Sequence, residues 1–255
     1  MLALEQLSKI YGDGTRAVHE VSLKIEAGEF VVILGKSGAG KSTLLRCINR
    51  LVEPSSGKIF FDGQEVTALE GKRLRALRRK IGMIFQDYNL VPRLSVQNNV
   101  LTGALGRTSA AAALVNYFAP EDIATARHNL ERLEIGDKAG QRADQLSGGQ
   151  QQRVGIARAL MQQPKLILAD EPVASLDPAT SRTILEILRR INREDGVTVL
   201  CNLHLPELAR EYGRRIIAMK AGEITYDGPP AGLTAKVVND LYEVKKPNEA
   251  SQKYV

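Results

Sequence analysis

No stretch of this 255-residue chain approaches the roughly 18 consecutive apolar residues that a membrane-spanning helix requires. Its opening residues, MLALEQLSKIYG, lack the basic-then-apolar order of a secretory signal. Cysteine is scarce. Cys47 and Cys201 are the only two, which excludes a disulfide framework and suits a reducing compartment. Cys201 and His204 stand three apart, but a pair without further clustered ligands is a poor metal centre. Internal repeats and low-complexity tracts are absent. The net charge of +6 admits nucleic acid or an anionic membrane as a partner. Yet the densest basic run, KRLRALRRK at 72–80, has no interleaved aromatics to stack on single-stranded bases. Leu74, Leu77 and Ile81 recur there at helical spacing. The charges therefore read as the solvated face of an amphipathic helix, and no nucleic-acid partner is expected.

What is present is a strand–helix alternation. LALEQL and AVHEVSLKI alternate apolar with polar residues, as half-buried antiparallel strands do. FVVIL (30–34), LILAD (166–170) and VTVLCNL (197–203) are apolar without alternation, which suits strands buried on both faces of a parallel sheet. Helical patterns over 154–162 and 180–193 separate the later ones, as crossover helices would. Residues 107–145 are rich in helix formers, with Pro120 fitting a helix start, and read as an inserted helical lobe. RIIAMKAGEITYDG reads as a hairpin turning at KAGE, and the polar residues after Lys245 as a frayed tail. The fold class expected is α/β of the phosphate-loop type: a mixed, largely parallel sheet with an antiparallel β lobe and an inserted helical lobe. One domain would span 1–245, with 1–106 and 146–245 as the core and 246–255 as a tail.

GKSGAGKS at 35–42 fits G-x-x-x-x-G-K-S between FVVIL and a helical segment, the context that gives the motif meaning. Backbone N–H groups of Gly35, Lys36, Ser37, Gly38, Ala39 and Gly40 can approach phosphate oxygens. Lys41 supplies a charge to the β and γ phosphates, and Ser42, followed by Thr43, offers a hydroxyl to Mg²⁺. LILADEP then sets Asp170 and Glu171 at the end of a buried strand, where open α/β sheets bind ligands. Asp170 suits the metal shell and Glu171 the polarisation of an attacking water. A second phosphate cradle, LSGGQQQR at 146–153, reads as a Gly-rich turn opening a helix near Gln150. One nucleotide does not need two cradles.

These motifs together resemble the ATPase subunits of ABC transporters over roughly residues 1–240. GKSGAGKST, Gln86 in IGMIFQDYN, LSGGQQQR, LILADEP, SLD at 175–177 and His204 occur in that family's order. The resemblance implies ATP and Mg²⁺ as cofactors. It implies that Tyr11 stacks on adenine, that Gln86 touches the metal or water and links the site to the helical lobe, and that His204 bonds the γ-phosphate. It gives Glu171, His204 and Gln86 as catalytic, and Ser42, Gln86 and Asp170 as the metal side. Ser147, Gly148, Gly149 and Gln150 would face the ATP of a second copy, with Asp177 at that interface, so that a homodimer encloses two nucleotides. Importer ATPases of this length are separate subunits. A permease is expected to dock near Gln86 and residues 87–105, with a solute-binding protein reached only through it, at the cytoplasmic face of the plasma membrane. NLVPRLSVQNNVLTGALG, CINRLVEP and EPVASLDP look most like phosphonate importers, with phosphate-ester and phosphite importers as neighbours. A soluble ABC ATPase of cofactor assembly is the alternative. A GTPase is disfavoured because there is no N-K-x-D guanine reader. Lys36, where such loops often carry Pro, and Asn202 and Leu205, which flank His204, depart from the family pattern.

Overall fold

A computed structural model describes residues 1–115 and 117–242; the tail expected beyond Lys245 lies outside the described residues. The chain runs β1 (Leu2–Ile10), β2 (Arg16–Ile25), β3 (Phe30–Leu34), α1 (Lys41–Ile48), β4 (Ser56–Phe61), β5 (Gln64–Glu65), α2 (Gly71–Arg78) and β6 (Ile81–Ile84). It continues through α3 (Val96–Leu101), α4 (Ala110–Leu114), α5 (Pro120–Arg132), α6 (Gly148–Leu160), β7 (Leu166–Ala169) and α7 (Pro178–Asp195). It closes with β8 (Thr198–Leu203), α8 (Pro206–Tyr212), β9 (Arg215–Lys220), β10 (Glu223–Gly228) and α9 (Ala235–Tyr242).

Two sheets form. An antiparallel one has the order β2-β1-β4-β5, and the other has the order β10-β9-β3-β8-β7-β6. In the second, β3 pairs parallel with both β8 and β9, and β7 pairs parallel with both β8 and β6. Every residue of β3 is buried, which is why FVVIL has no polar alternation. Its two faces feed different cores. Phe30, Val32 and Leu34 join the helical side, while Val31 and Ile33 join the side of the antiparallel lobe. The expected hairpin is β9–β10, joined by Ala221 and Gly222, both at positive φ (51° and 84°), as a type I′ turn requires.

Three local readings need correction. The amphipathic helix α2 stops at Arg78, and Ile81 opens β6 instead, extending the parallel sheet by a strand. The helix of LSGGQQQR begins at Gly148 rather than near Gln150, because Ser147 is its N-cap. Helical structure also starts before residue 107, since α3 packs against α5 and α6. Asn99 explains that early start. It is buried, its Oδ1 accepts from Val91 N–H at 2.7 Å, and its Nδ2 donates to the Val91 carbonyl, knitting the preceding loop to the helix.

Candidate active site

The phosphate-loop residues sit where β3 ends and α1 begins. Gly40 has φ 98°, and a Cβ there would run into the carbonyl oxygen of Ala17, so the chain can pass only as glycine. Gly40 is also the N-cap of α1. No side chain caps that helix and no acidic residue stands in its first turn. Its first N–H groups and positive dipole end are thus left for an anion.

Lys41 is only 3% exposed. Its Nζ donates to the carbonyls of Gly35 (2.9 Å) and Lys36 (3.0 Å) and pairs with Glu171 Oε1 at 3.1 Å. Its three protons are thereby all engaged. A phosphate arriving at Lys41 competes with Glu171 alone, because the two carbonyls are fixed backbone. Glu171 has φ 47°, an uncommon conformation for a residue with a side chain. Holding a residue there costs on the order of 1–3 kcal/mol, a strain that gathers at functional turns. The adjacent Asp170 N–H donates to Ile84 at 2.9 Å, anchoring the turn to β6.

Asp170 is buried, and its Oδ1 accepts from Ser42 Oγ at 2.6 Å and from Asn202 Nδ2 at 2.9 Å. Arg46 approaches Oδ2 at 3.6 Å. A hydroxyl and a carboxylate in contact make a hard-oxygen pair of the kind magnesium accepts. Among the described residues no group of three or more His, Cys, Asp or Glu could hold a metal. A magnesium ion here would draw its remaining ligands from phosphate and water, as it commonly does. Among the described residues no third His, Cys, Asp or Glu joins Cys201 and His204. Cys201 is buried, and burial, with Asp170 adding to it, pushes its thiol up.

A cleft of about 350 Å³ is lined by Ser37, Gly38, Gly40, Lys41, Ser42, Thr43, Gln86 and Glu171. Thr15, Arg16 and Ala17 of the antiparallel lobe complete it, and sequence reading did not single these out. Tyr11 is 38% exposed; its hydroxyl lies 3.2 Å from Thr43 Oγ1, and Lys9 Nζ stands 5.3 Å from its ring centre. Gly35, Lys36 and Ala39 are not in the lining. The Lys36 carbonyl accepts from Ala39 N–H, and the Ala39 carbonyl from Gly222 N–H. His204 is not in the lining either. The register that sets Leu203 beside Leu34 brings it next to Gly35, and its carbonyl accepts the Tyr242 hydroxyl at 2.6 Å.

The second cradle forms a separate cleft of about 550 Å³, lined by Ser147, Gly148, Gly149, Gln150, Glu134, Arg153, Ser175, Leu176, Asp177 and Thr180. It shares no lining residue with the first. Here both helix starts are capped. Ser147 Oγ accepts from Gln150 N–H (3.4 Å) while Gln150 Oε1 accepts from Ser147 N–H (2.9 Å). Asp177 Oδ1 accepts from Ala179 and Thr180 at 3.0 Å, and hydrogen bonding from Thr180, by its side chain first and its backbone next, with Ala179 adding less, holds the carboxyl below the usual range. A Cβ on Gly149 would fall 2.5 Å from Thr180 Cγ2, so glycine is what lets α6 and α7 start side by side. The loop after Gln86 is tied to α6. Tyr88 and Asn89 both have positive φ, and Arg158 of α6 donates to both of their carbonyls.

The family described as ABC transporter matches this chain over residues 18–174. Among curated relatives, the chain is similar to the phosphonates import ATP-binding protein PhnC 3 of Halalkalibacterium halodurans, with 52% identity over 95% of this chain and 94% of that one. It is equally similar, at 52%, to the phosphonates import ATP-binding protein PhnC of Lactobacillus johnsonii, covering 95% of each. Among solved structures, a dimer of the ATP-binding cassette MJ0796 in a post-hydrolysis state bound to ADP and Pi is 38% identical. Its TM-score is 0.80, and the match spans 91% of this chain and all of that one.

Proposed function

This chain belongs to the ABC transporter family as an ATP-binding subunit, and on that premise we propose that it hydrolyses ATP to power the import of phosphonate through a membrane permease. One juxtaposition carries the ATPase reading. Lys41 and Ser42 reach Glu171 and Asp170 from across the sheet edge, at 3.1 and 2.6 Å. Lys41 and the uncapped start of α1 hold phosphate. Ser42 and Asp170, with Gln86, would hold Mg²⁺, which would supply positive charge against the transferring phosphoryl group. Glu171 orients and polarises water, and His204, beside Gly35, reaches the γ-phosphate when nucleotide is bound. Tyr11 supports the adenine. One domain spans 1–245, with α4, α5 and their connections as its inserted helical part.

The cargo reading rests on relatives named for phosphonate import at 52% identity over nearly the full chain. No residue of the nucleotide site reads the cargo, so a growth test decides. Deleting the gene should stop growth on a phosphonate as sole phosphorus source while growth on phosphate continues. Normal growth on both would assign another cargo.

The second cleft supports a homodimer. Ser147–Gln150 line nothing that Lys41 lines, so they serve a partner's nucleotide. Changing Ser147 to Arg places a long cation there and removes a cap worth about 1 kcal/mol. ATP binding by the isolated chain, followed with a fluorescent analogue, should persist while ATP-induced dimerisation is lost. Loss of ATP binding in the monomer would assign the cradle to its own chain's nucleotide. The permease docks beside Gln86 and residues 87–105, at the cytoplasmic face of the membrane, and the solute-binding protein acts through that permease. Among the described residues no helix is long and apolar enough to cross a membrane.

A further inference from the structure

Asn202 is fully buried near the end of β8, and the reaction described above gives it no task. The β7–β8 register pairs Ala169 with Cys201, and one step further along carries Asp170 alongside Asn202. The Asn202 Nδ2 donates to Asp170 Oδ1 at 2.9 Å, the oxygen that also accepts from Ser42. Only the nitrogen of an amide can face a carboxylate. The other amide atom, Oδ1, therefore points away, and it is buried without a partner. An orphaned buried acceptor is unfavourable. A leucine, similar in size, would fill this place without that penalty, so packing does not account for an asparagine here.

The Asp170 carboxylate stands between opposed pulls. Ser42 and Asn202 hold Oδ1, while Arg46, a half-exposed cation at 3.6 Å, draws on Oδ2. We infer that Asn202 is a positioning residue for the metal shell. Its amide fixes the rotation of the Asp170 carboxylate, commits Oδ1 to neutral donors, and keeps Oδ2 for a divalent cation arriving with the nucleotide. Without the amide the carboxylate turns toward Arg46, which competes for the same charge. This inference rests on the reading of Ser42 and Asp170 as the metal-side pair. Partners that orient a metal-binding carboxylate typically contribute tenfold or more to metal affinity.

The test is a Mg²⁺ titration of fluorescent ATP-analogue binding, with thermal melting of the nucleotide-free protein beside it. Asn202→Leu should raise the Mg²⁺ concentration for half-maximal effect by about tenfold. Analogue affinity without Mg²⁺ should stay unchanged, and the variant should stay folded, because Asp170 keeps Ser42 as a donor and the orphaned acceptor is gone. Asn202→Ser, which removes the amide by shortening the side chain, should show the same Mg²⁺ shift. An unchanged Mg²⁺ requirement in both variants overturns the inference. So does an equal loss of Mg²⁺-free affinity, or unfolding of both variants, since each makes Asn202 merely structural. A wild-type protein indifferent to Mg²⁺ overturns the metal-side reading itself, and this inference with it.

Discussion

Lys41→Ala removes ATP turnover. The buried ammonium is held at 2.9 and 3.0 Å by the Gly35 and Lys36 carbonyls, so it reaches phosphate with little reorganisation. Losing one preorganised charge of this kind costs about 10²–10³ in rate. Stability falls as well, because Glu171 loses its partner in a site where Lys41 is 3% exposed. Glu171 is itself 17% exposed, so water takes up part of that loss. Steady-state phosphate release, measured on protein shown by melting to be folded, checks the first part. Wild-type turnover in the variant would remove the cleft beside α1 from consideration as the reaction site.

Glu171→Gln separates binding from chemistry. Glutamine keeps the shape but cannot take a proton, and loss of such a group lowers rates by about 10²–10⁴. The Lys41 ammonium then faces a neutral amide in place of a carboxylate, so an incoming phosphate meets weaker competition for it. Hydrolysis should collapse while ATP is retained, and the chain with ATP and Mg²⁺ should elute as a dimer on size exclusion. A strictly monomeric profile would argue against two copies enclosing the nucleotide. Unimpaired turnover would move the role of polarising water to another residue.

The parts legible in the sequence are those that local chemistry dictates. FVVIL must be buried on both faces because it has no polar position, and GKSGAGKS reads as a loop because its glycines stand between an apolar strand and a helical segment. What escaped notice depends on partners distant in the chain. β6 is four residues long and follows a basic helix, so Ile81 extends the helical spacing as readily as it opens a strand. β4 begins around Gly57 at φ 88°, which interrupts any alternation. Asn202 carries no signal of its own, and its meaning comes from Asp170, 32 residues away, through strand pairing. Thr15, Arg16 and Ala17 enter the cleft because the antiparallel lobe folds over the loop, an arrangement that periodicity does not encode. His204 was legible as a strand-end residue; its distance from the lining depends on how its neighbours pack.

The caps of the second cleft have one more effect. A serine hydroxyl has two lone pairs and a single hydrogen. In its cap, Ser147 uses a lone pair, accepting from Gln150, so the hydrogen remains to donate outward. Gln150 in turn holds the Ser147 backbone in place, and Asp177 is pinned by Ala179 and Thr180. In the homodimer proposed above, the rim that would meet a second copy is thus ordered beforehand. Freezing a loose side chain at an interface costs about 0.5–1.5 kcal/mol. Here folding has already done that ordering, so less of what a shared phosphate contributes is consumed in arranging the surface that receives it.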